Sequence, residues 1–261
     1  MSGLSGQVFS ARHGRVLKTG QTTQYNSELD DGHYEKGRAK AYDILTTGQY
    51  SGTSNVDLIH LTAATISFDA ATKEIRDSGN AMAMFKTSET LVVTGSTDNN
   101  GTFTVATGNV AAKAVVNEAL TDEAAGATVS IAKREAISNN CVLDKNTGLM
   151  WLRYSTAKMG TGGNGKMPRT GQLYDIFQYC AAIIAASLGG YTDWRVPNRN
   201  ELESIIALNV FKRDSTAFPS FGFPQWTSSG VSDTYSWYLD DNLVMTRIQD
   251  TTLCFVTLVR G

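Results

Sequence analysis

The residue types best suited to gripping a partner lie near the end of the chain, where Tyr235, Trp237 and Tyr238 are followed by Asp240, Asp241 and Asn242. Aromatic rings beside carboxylates and an amide offer a flat apolar face for stacking and acceptors for hydroxyl groups, the chemistry of sugar or protein binding. Neighbouring side chains on a strand point to opposite faces, so the three aromatics cannot all turn inward and at least one faces out. The same Asp-Asp-Asn oxygens would serve a calcium-dependent sugar site. Such a site also needs a partner loop of the Glu-Pro-Asn type, which does not accompany them. A tight turn between two antiparallel strands is the simpler role for Asp240–Asn242.

Bond-breaking chemistry has weaker candidates. No histidine follows His60, so a Ser-His-Asp set has no third member in most of the chain. The carboxylate pairs Asp30-Asp31 and Asp240-Asp241 sit in turn-like contexts where solvation is the default. A glycosidase needs two carboxylates facing each other across a cleft, and no spacing here marks such a pair. His13, His33 and His60 are scattered, and a zinc site built on them would need ligands brought from afar. Cys141, Cys180 and Cys254 have no CxxC spacing, which favours buried thiols. The glycine-rich GTGGNGKMP (160–168) lacks the lysine-serine spacing of a phosphate-binding loop. The expectation is a protein that is no enzyme and carries no metal or cofactor.

Charge is balanced, with 23 basic against 25 acidic residues, which leaves no electrostatic footprint for nucleic acid or an anionic membrane. Ala181–Leu188, the longest near-apolar run, is too short to span a bilayer, so no membrane insertion is expected. The opening MSGLSGQVFSARHGRVL has no continuous apolar core and does not read as a secretory signal. Those features predict a soluble protein not exported by the usual route.

The elements that must position the aromatic stretch fall into three regions. Residues 1–60 show turn signals and little periodicity, and predict an arm with loops and short strands that packs partly on the rest. Residues 61–136 predict a small β-sandwich or barrel. Ile66, Phe68 and Ile75 flank a turn at Ala70–Thr72, and Leu91-Val92-Val93 and Thr102–Val105 flank one containing Asn99-Asn100-Gly101, residues that tolerate positive φ. A further strand follows at Ala127–Lys133, with Val129 and Ile131 on one face. Residues 137–261 hold all four tryptophans. Leu173, Ile176, Phe177, Cys180 and Ile184 predict a helix over 171–187, ended by Gly189-Gly190. A second helix is predicted from Asn198 to about Leu208, and then strands near 225–228, 236–239, 243–248 and 253–259. The fold class is α+β.

GGYTDWRVPNRNELE (189–203) specifies its structure most densely. Asn198 and Glu201 have the spacing of a capping box. Trp151, Trp194 and Trp226 are expected in the core, with the Arg195 guanidinium holding backbone carbonyls. These are framework residues.

VLDKNTGLMW (142–151), LGGYTDWRVPNRNELESII (188–206), QWTSS (225–229), SWYLD (236–240) and LVRG (258–261) resemble the Lcl C-terminal domain family, named for a collagen-like adhesin and found in bacterial surface and phage proteins. TGQTTQY and DDGHYEKG (within 19–37) resemble the segment that often opens such domains. The resemblance implies a C-type-lectin-like architecture and carries no catalytic residues. Members often end in an Arg-Cys-Val-Arg-type strand, whereas Leu258 stands at that Cys here and Cys254 lies earlier on the same strand face, within reach of Cys180. The intervening segment is similar to small β-domains of phage tail and virion proteins, chiefly through GSTDNNGTFTV. Together these imply a virion protein, tail or fibre-type, located in the particle after assembly in the host cytoplasm. Its expected partners are other virion proteins and a host-surface glycan or protein, and a homo-oligomer such as a trimer is expected. A bacterial or prophage-encoded polysaccharide-binding adhesin is the alternative, and a virion-associated glycan-degrading enzyme comes third.

Overall fold

The computed structural model describes residues 41–156, 165–170, 175–207, 212–213, 215–219, 221–240, 242 and 244–261. The first strands are β1 (Tyr42–Leu45), β2 (Thr53–Ala63), β3 (Ile66–Asp69), β4 (Glu74–Asp77), β5 (Thr90–Thr94), β6 (Gly101–Thr104), β7 (Lys113–Val115) and β8 (Val129–Ser138). Then come β9 (Cys141–Asp144), β10 (Met150–Leu152), α1 (Ile176–Ala185), α2 (Arg199–Ser204), β11 (Ile206–Ala207) and β12 (Lys212–Arg213). β13 (Gln225–Gly230), β14 (Tyr235–Leu239), β15 (Met245–Gln249) and β16 (Val259–Arg260) complete the order. The described residues form mostly antiparallel sheet with two short α-helices.

Both hairpins read from the sequence form. Phe68 pairs with Ile75 across β3 and β4, and Leu91 pairs with Phe103 across β5 and β6. Their inward residues, including Ile66, Phe68, Ile75, Leu91, Val93 and Phe103, share one core with Val129 and Ile131 of β8. The second turn works differently from expectation. Positive φ falls on Gly95 (83°), where a Cβ would stand 2.4 Å from the Thr128 carbonyl oxygen, and not on Asn99, Asn100 or Gly101. The two asparagines contribute side-chain hydrogen bonds instead: Asn100 Oδ1 accepts from Ser96 N–H, and Asn99 donates to the Thr121 carbonyl.

The expected divisions at residues 60 and 136 fall inside two long strands. β2 pairs with β8 from Thr53↔Ser138 to Ala63↔Val129. An irregularity between Ile59 and Leu61 inserts one residue, so Leu61 and Ala63 stay on the face that Val56 and Leu58 occupy. Val56 and Leu58 pack with α1, while Leu61 and Ala63 pack with the small β-unit. β1 pairs with β9 and extends the sheet β1-β9-β10-β16. Residues 1–40 of the expected arm lie outside the described residues.

That four-stranded sheet has a core on each face, as strand alternation requires. Cys141, Met150, Leu152 and Leu258 face α1, with Trp194 and Trp226. Val142, Trp151 and Val259 face Leu202, Ile205, Phe218 and Phe221. α1 begins at Asp175, whose carboxylate accepts from the Phe177 and Gln178 N–H groups at 2.9 Å each. Its buried stripe is Ile176, Tyr179, Cys180 and Ile183, whereas Phe177 is exposed. The predicted stripe thus held one exposed residue, Phe177, while Ile184 is partly buried against the same core; Leu173 lies outside the described residues. Ser187 takes the first left-handed conformation after the helix (φ 47°), ahead of Gly189 and Gly190. α2 is shorter than predicted, because Ile206–Ala207 already pairs with Lys212–Arg213.

Candidate functional site

Three strands, β13-β14-β15, carry the aromatic stretch. Alternation along β14 separates its aromatics. Ser236 is buried, and Tyr238 packs against Trp226 with ring centroids 6.2 Å apart. Tyr238 therefore belongs to the core side, which removes it from the binding candidates. Tyr235 and Trp237 share the other face, where Tyr235 is 40% exposed and Trp237 half-buried, before Leu239 enters the core on that side. Antiparallel register sets Gln249 opposite Tyr235 and Arg247 opposite Trp237, and both partners are exposed. Opposed residues lie on one face, so the surface consists of two rings, an amide and a guanidinium.

A further cation comes from α2. Arg199 lies over the Trp237 ring, 4.1 Å from its centroid. The backbone N–H of Arg199 donates to Ser229 Oγ at 3.0 Å, and its Nε donates to Glu203 at 3.2 Å. These contacts fix both the helix start and the ring beneath it. Arg199 and Arg247 were not legible as site residues; only the cap at Asn198 and the register of β15 bring them there.

The acidic end of the stretch does turn-forming work. Asp240 Oδ1 accepts from the Asn242 N–H at 2.9 Å and the Val244 N–H at 2.8 Å. Asn242 is exposed, and Asp241 lies outside the described residues. Asp240 and Asn242 thus close the β14–β15 connection, the simpler of the two roles read from the sequence.

The cap of α2 lies beside this face, since Arg199 covers Trp237. Asn198 Oδ1 accepts from the Glu201 N–H, and Glu201 Oε2 accepts from the Asn198 N–H, each at 2.9 Å. The Arg195 guanidinium was expected on carbonyls. It instead forks onto both Glu201 oxygens at 2.7 Å, with one longer bond to the Gly261 carbonyl. Burial opposes ionisation of Glu201, but the Arg195 guanidinium and the Asn198 N–H outweigh it and hold its carboxyl below the ordinary range. Trp194 Nε1 donates to Leu188 O, and Trp226 Nε1 donates to Met167 O. Trp151 is fully buried, edge-on to Phe218.

Other sequence candidates are dispersed. His60 packs beside Phe85, and burial lowers its pKa. His13, His33, Asp30 and Asp31 lie outside the described residues, as does most of the glycine-rich loop. Cys180 and Cys254 lie in the same core as thiols, and Cys180 Sγ donates to the Trp194 carbonyl. A cavity of about 290 Å³ lies where β8 meets Tyr154, Ser155 and Tyr179, and its described lining holds no carboxylate, imidazole or thiol.

Residues 140–260 match the family model of the Lcl C-terminal domain. Over those residues the chain is similar to a lectin-like, adhesin-type domain, and the aromatic face lies within them. No curated protein and no solved structure matches the chain.

Proposed function

We propose that the protein is a non-enzymatic virion component of the tail or fibre type. Its C-type-lectin-like C-terminal domain presents the outer face of β14–β15 to a host-surface glycan or to neighbouring virion subunits. The observation that carries the reading is the pairing of outward Tyr235 and Trp237 with Arg199 and Arg247 on a lectin-like domain. A sugar ring has an apolar face that stacks on such aromatics and hydroxyls that meet the flanking donors. The small β-unit of residues 61–136 serves as an inserted spacer or docking module. Its sequence likeness to phage tail and virion domains supports a place in the particle, assembled in the host cytoplasm. Single faces of this kind bind weakly, and a homo-oligomer such as a trimer multiplies them through effective concentration.

The Lcl domain itself favours a second reading, a bacterial or prophage-encoded adhesin for extracellular polysaccharide.

Saturable binding to host cells and to lipopolysaccharide tests the proposal. Combined Tyr235→Ala and Trp237→Ala should weaken it by at least about tenfold, the loss expected of aromatic hot spots. Tyr235→Ala alone should move the melting midpoint little, since Tyr235 is exposed. Binding that survives both substitutions contradicts the assignment of this face. Binding to neither target, with incorporation into particles alongside other virion proteins, leaves a subunit-contact role only.

A further inference from the structure

β5 pairs with β8 only as far as Arg134, so Ala136, Ile137 and Ser138 run beyond the small β-unit's sheet, where Ile137 packs on the core around α1. There they border the cavity of about 290 Å³, whose described lining is completed by Thr53, Tyr154, Ser155 and Tyr179. Most polar groups in that lining are engaged. Ser155 Oγ accepts from the Gly222 N–H at 3.0 Å, Ser138 Oγ from the Asn140 N–H at 3.3 Å, and Tyr154 Oη from Arg153 Nη1 at 3.4 Å. Tyr179 differs. Its side chain is buried in that core, and its hydroxyl has no hydrogen-bond partner among the described residues. Burial pushes the phenol up from its ordinary value, so it keeps its proton. Trp151 Nε1 and Asp250 Oδ1 are also unpartnered, but they are sealed from solvent, and the Tyr179 hydroxyl is not among the sealed atoms. Tyr179 is only 1% exposed and lines the cavity, so the cavity is the route by which a ligand reaches its hydroxyl. A buried donor without an acceptor is costly, and an acceptor offered through the cavity recovers that free energy.

We propose that this cavity binds a small uncharged ligand, one apolar ring carrying a carbonyl oxygen that accepts from the Tyr179 hydroxyl. The inference stands apart from the glycan-binding reading of the β14–β15 face. Size supports a single ring, because the volume lies just below the roughly 300–1,000 Å³ of pockets that hold drug-sized ligands. Charge supports a neutral one. The described lining holds no charged side chain, so an ion there would lose its hydration without gaining a partner. Ala136, Ile137 and the Tyr154 and Tyr179 rings supply apolar wall for the body of the ligand. A sugar ring is disfavoured, since its several hydroxyls would meet one free phenol among groups already engaged. Position supports a ligand site as well. Such sites favour boundaries between structural units, and this one lies where the ladder of the small β-unit meets α1 and the residues after β10.

The test is an NMR titration of the whole isotope-labelled chain with cyclohexanone, acetophenone, benzoate and methyl glucoside, one at a time. At least one of the two ketones should give saturable shifts at the amides of Ala136, Ile137, Ser138 and Tyr179, and benzoate and methyl glucoside should give none there. Tyr179→Phe should weaken that ketone roughly three- to tenfold through the loss of one hydrogen bond. The same substitution should hold or raise the melting midpoint, because it removes a donor that has no partner in the protein. Ala136→Leu, at an exposed position, should fill the cavity and abolish the ketone shifts while the spectrum stays folded. Failure of both ketones to shift these amides overturns the site. Equal shifts with benzoate or methyl glucoside overturn the ligand class. Unchanged ketone affinity in Tyr179→Phe, or a lowered midpoint that shows the hydroxyl to be bonded within the protein, overturns the part given to Tyr179.

Discussion

Glu201 holds together a helix start, an arginine and the chain end. Its carboxylate accepts from the Asn198 N–H and from both arms of Arg195, while Arg195 reaches the Gly261 carbonyl. The cap matters beyond α2, because the next residue after Asn198 is Arg199, which covers Trp237. Asn198→Ala should therefore lower stability by about 1 kcal/mol through the lost cap, seen as a fall in the urea midpoint at unchanged slope. It should also loosen Arg199 over the indole. An unchanged midpoint would count against the cap. The Asn198–Glu201 pair was legible in the sequence because a capping box is a local pattern. The Arg195–Glu201 fork was not, since an arginine six residues before a glutamate has no fixed geometry until the intervening turn is built. The same reasoning covers Asp250, whose burial arises only when Arg169 and the β14–β15 ladder converge on it.

Elements with strong local rules were the readable ones. The β3–β4 and β5–β6 hairpins follow from alternation around turn residues, and α1 follows from apolar spacing. β2 escaped, because His60 follows Val56 and Leu58 in their alternation and the extra residue there breaks the period. Long-range pairing with β8 determines it. The turn between β5 and β6 also depends on a distant group. Glu123 accepts from Ser96 Oγ, from the Thr97 and Asp98 N–H groups and from the Asn99 side chain. Burial raises its pKa, but those donors prevail and bring it down to about 2 from an ordinary 4.5. A depressed carboxyl pKa contributes stability that is fully present above the unfolded value and is lost as pH falls through the folded one. The contribution of Glu123 should thus fade between pH 4.5 and about 2. Glu123→Gln should flatten the acid limb of the stability curve over that window, as measured by urea unfolding at a series of pH values. Identical limbs for the two proteins would refute the assignment.

At the scale of the molecule, β2 and β8 join the core around α1 to the core of the small β-unit. A second tie binds the segment before β2 to the Lcl domain. The Tyr50 and Tyr191 hydroxyls lie 2.7 Å apart, and Arg260, paired with Asp193, stacks on the Tyr191 ring at 3.7 Å. The small β-unit is therefore coupled to the tryptophan-bearing scaffold through a paired ladder. The proposed binding belongs to one face of that scaffold. The most direct test is the footprint of a bound host-surface polysaccharide, mapped by hydrogen exchange on the intact chain. Protection should centre on Tyr235, Trp237, Arg247 and Gln249. Protection confined to the β3–β7 region, or to the cavity beside Tyr154 and Tyr179, would contradict it.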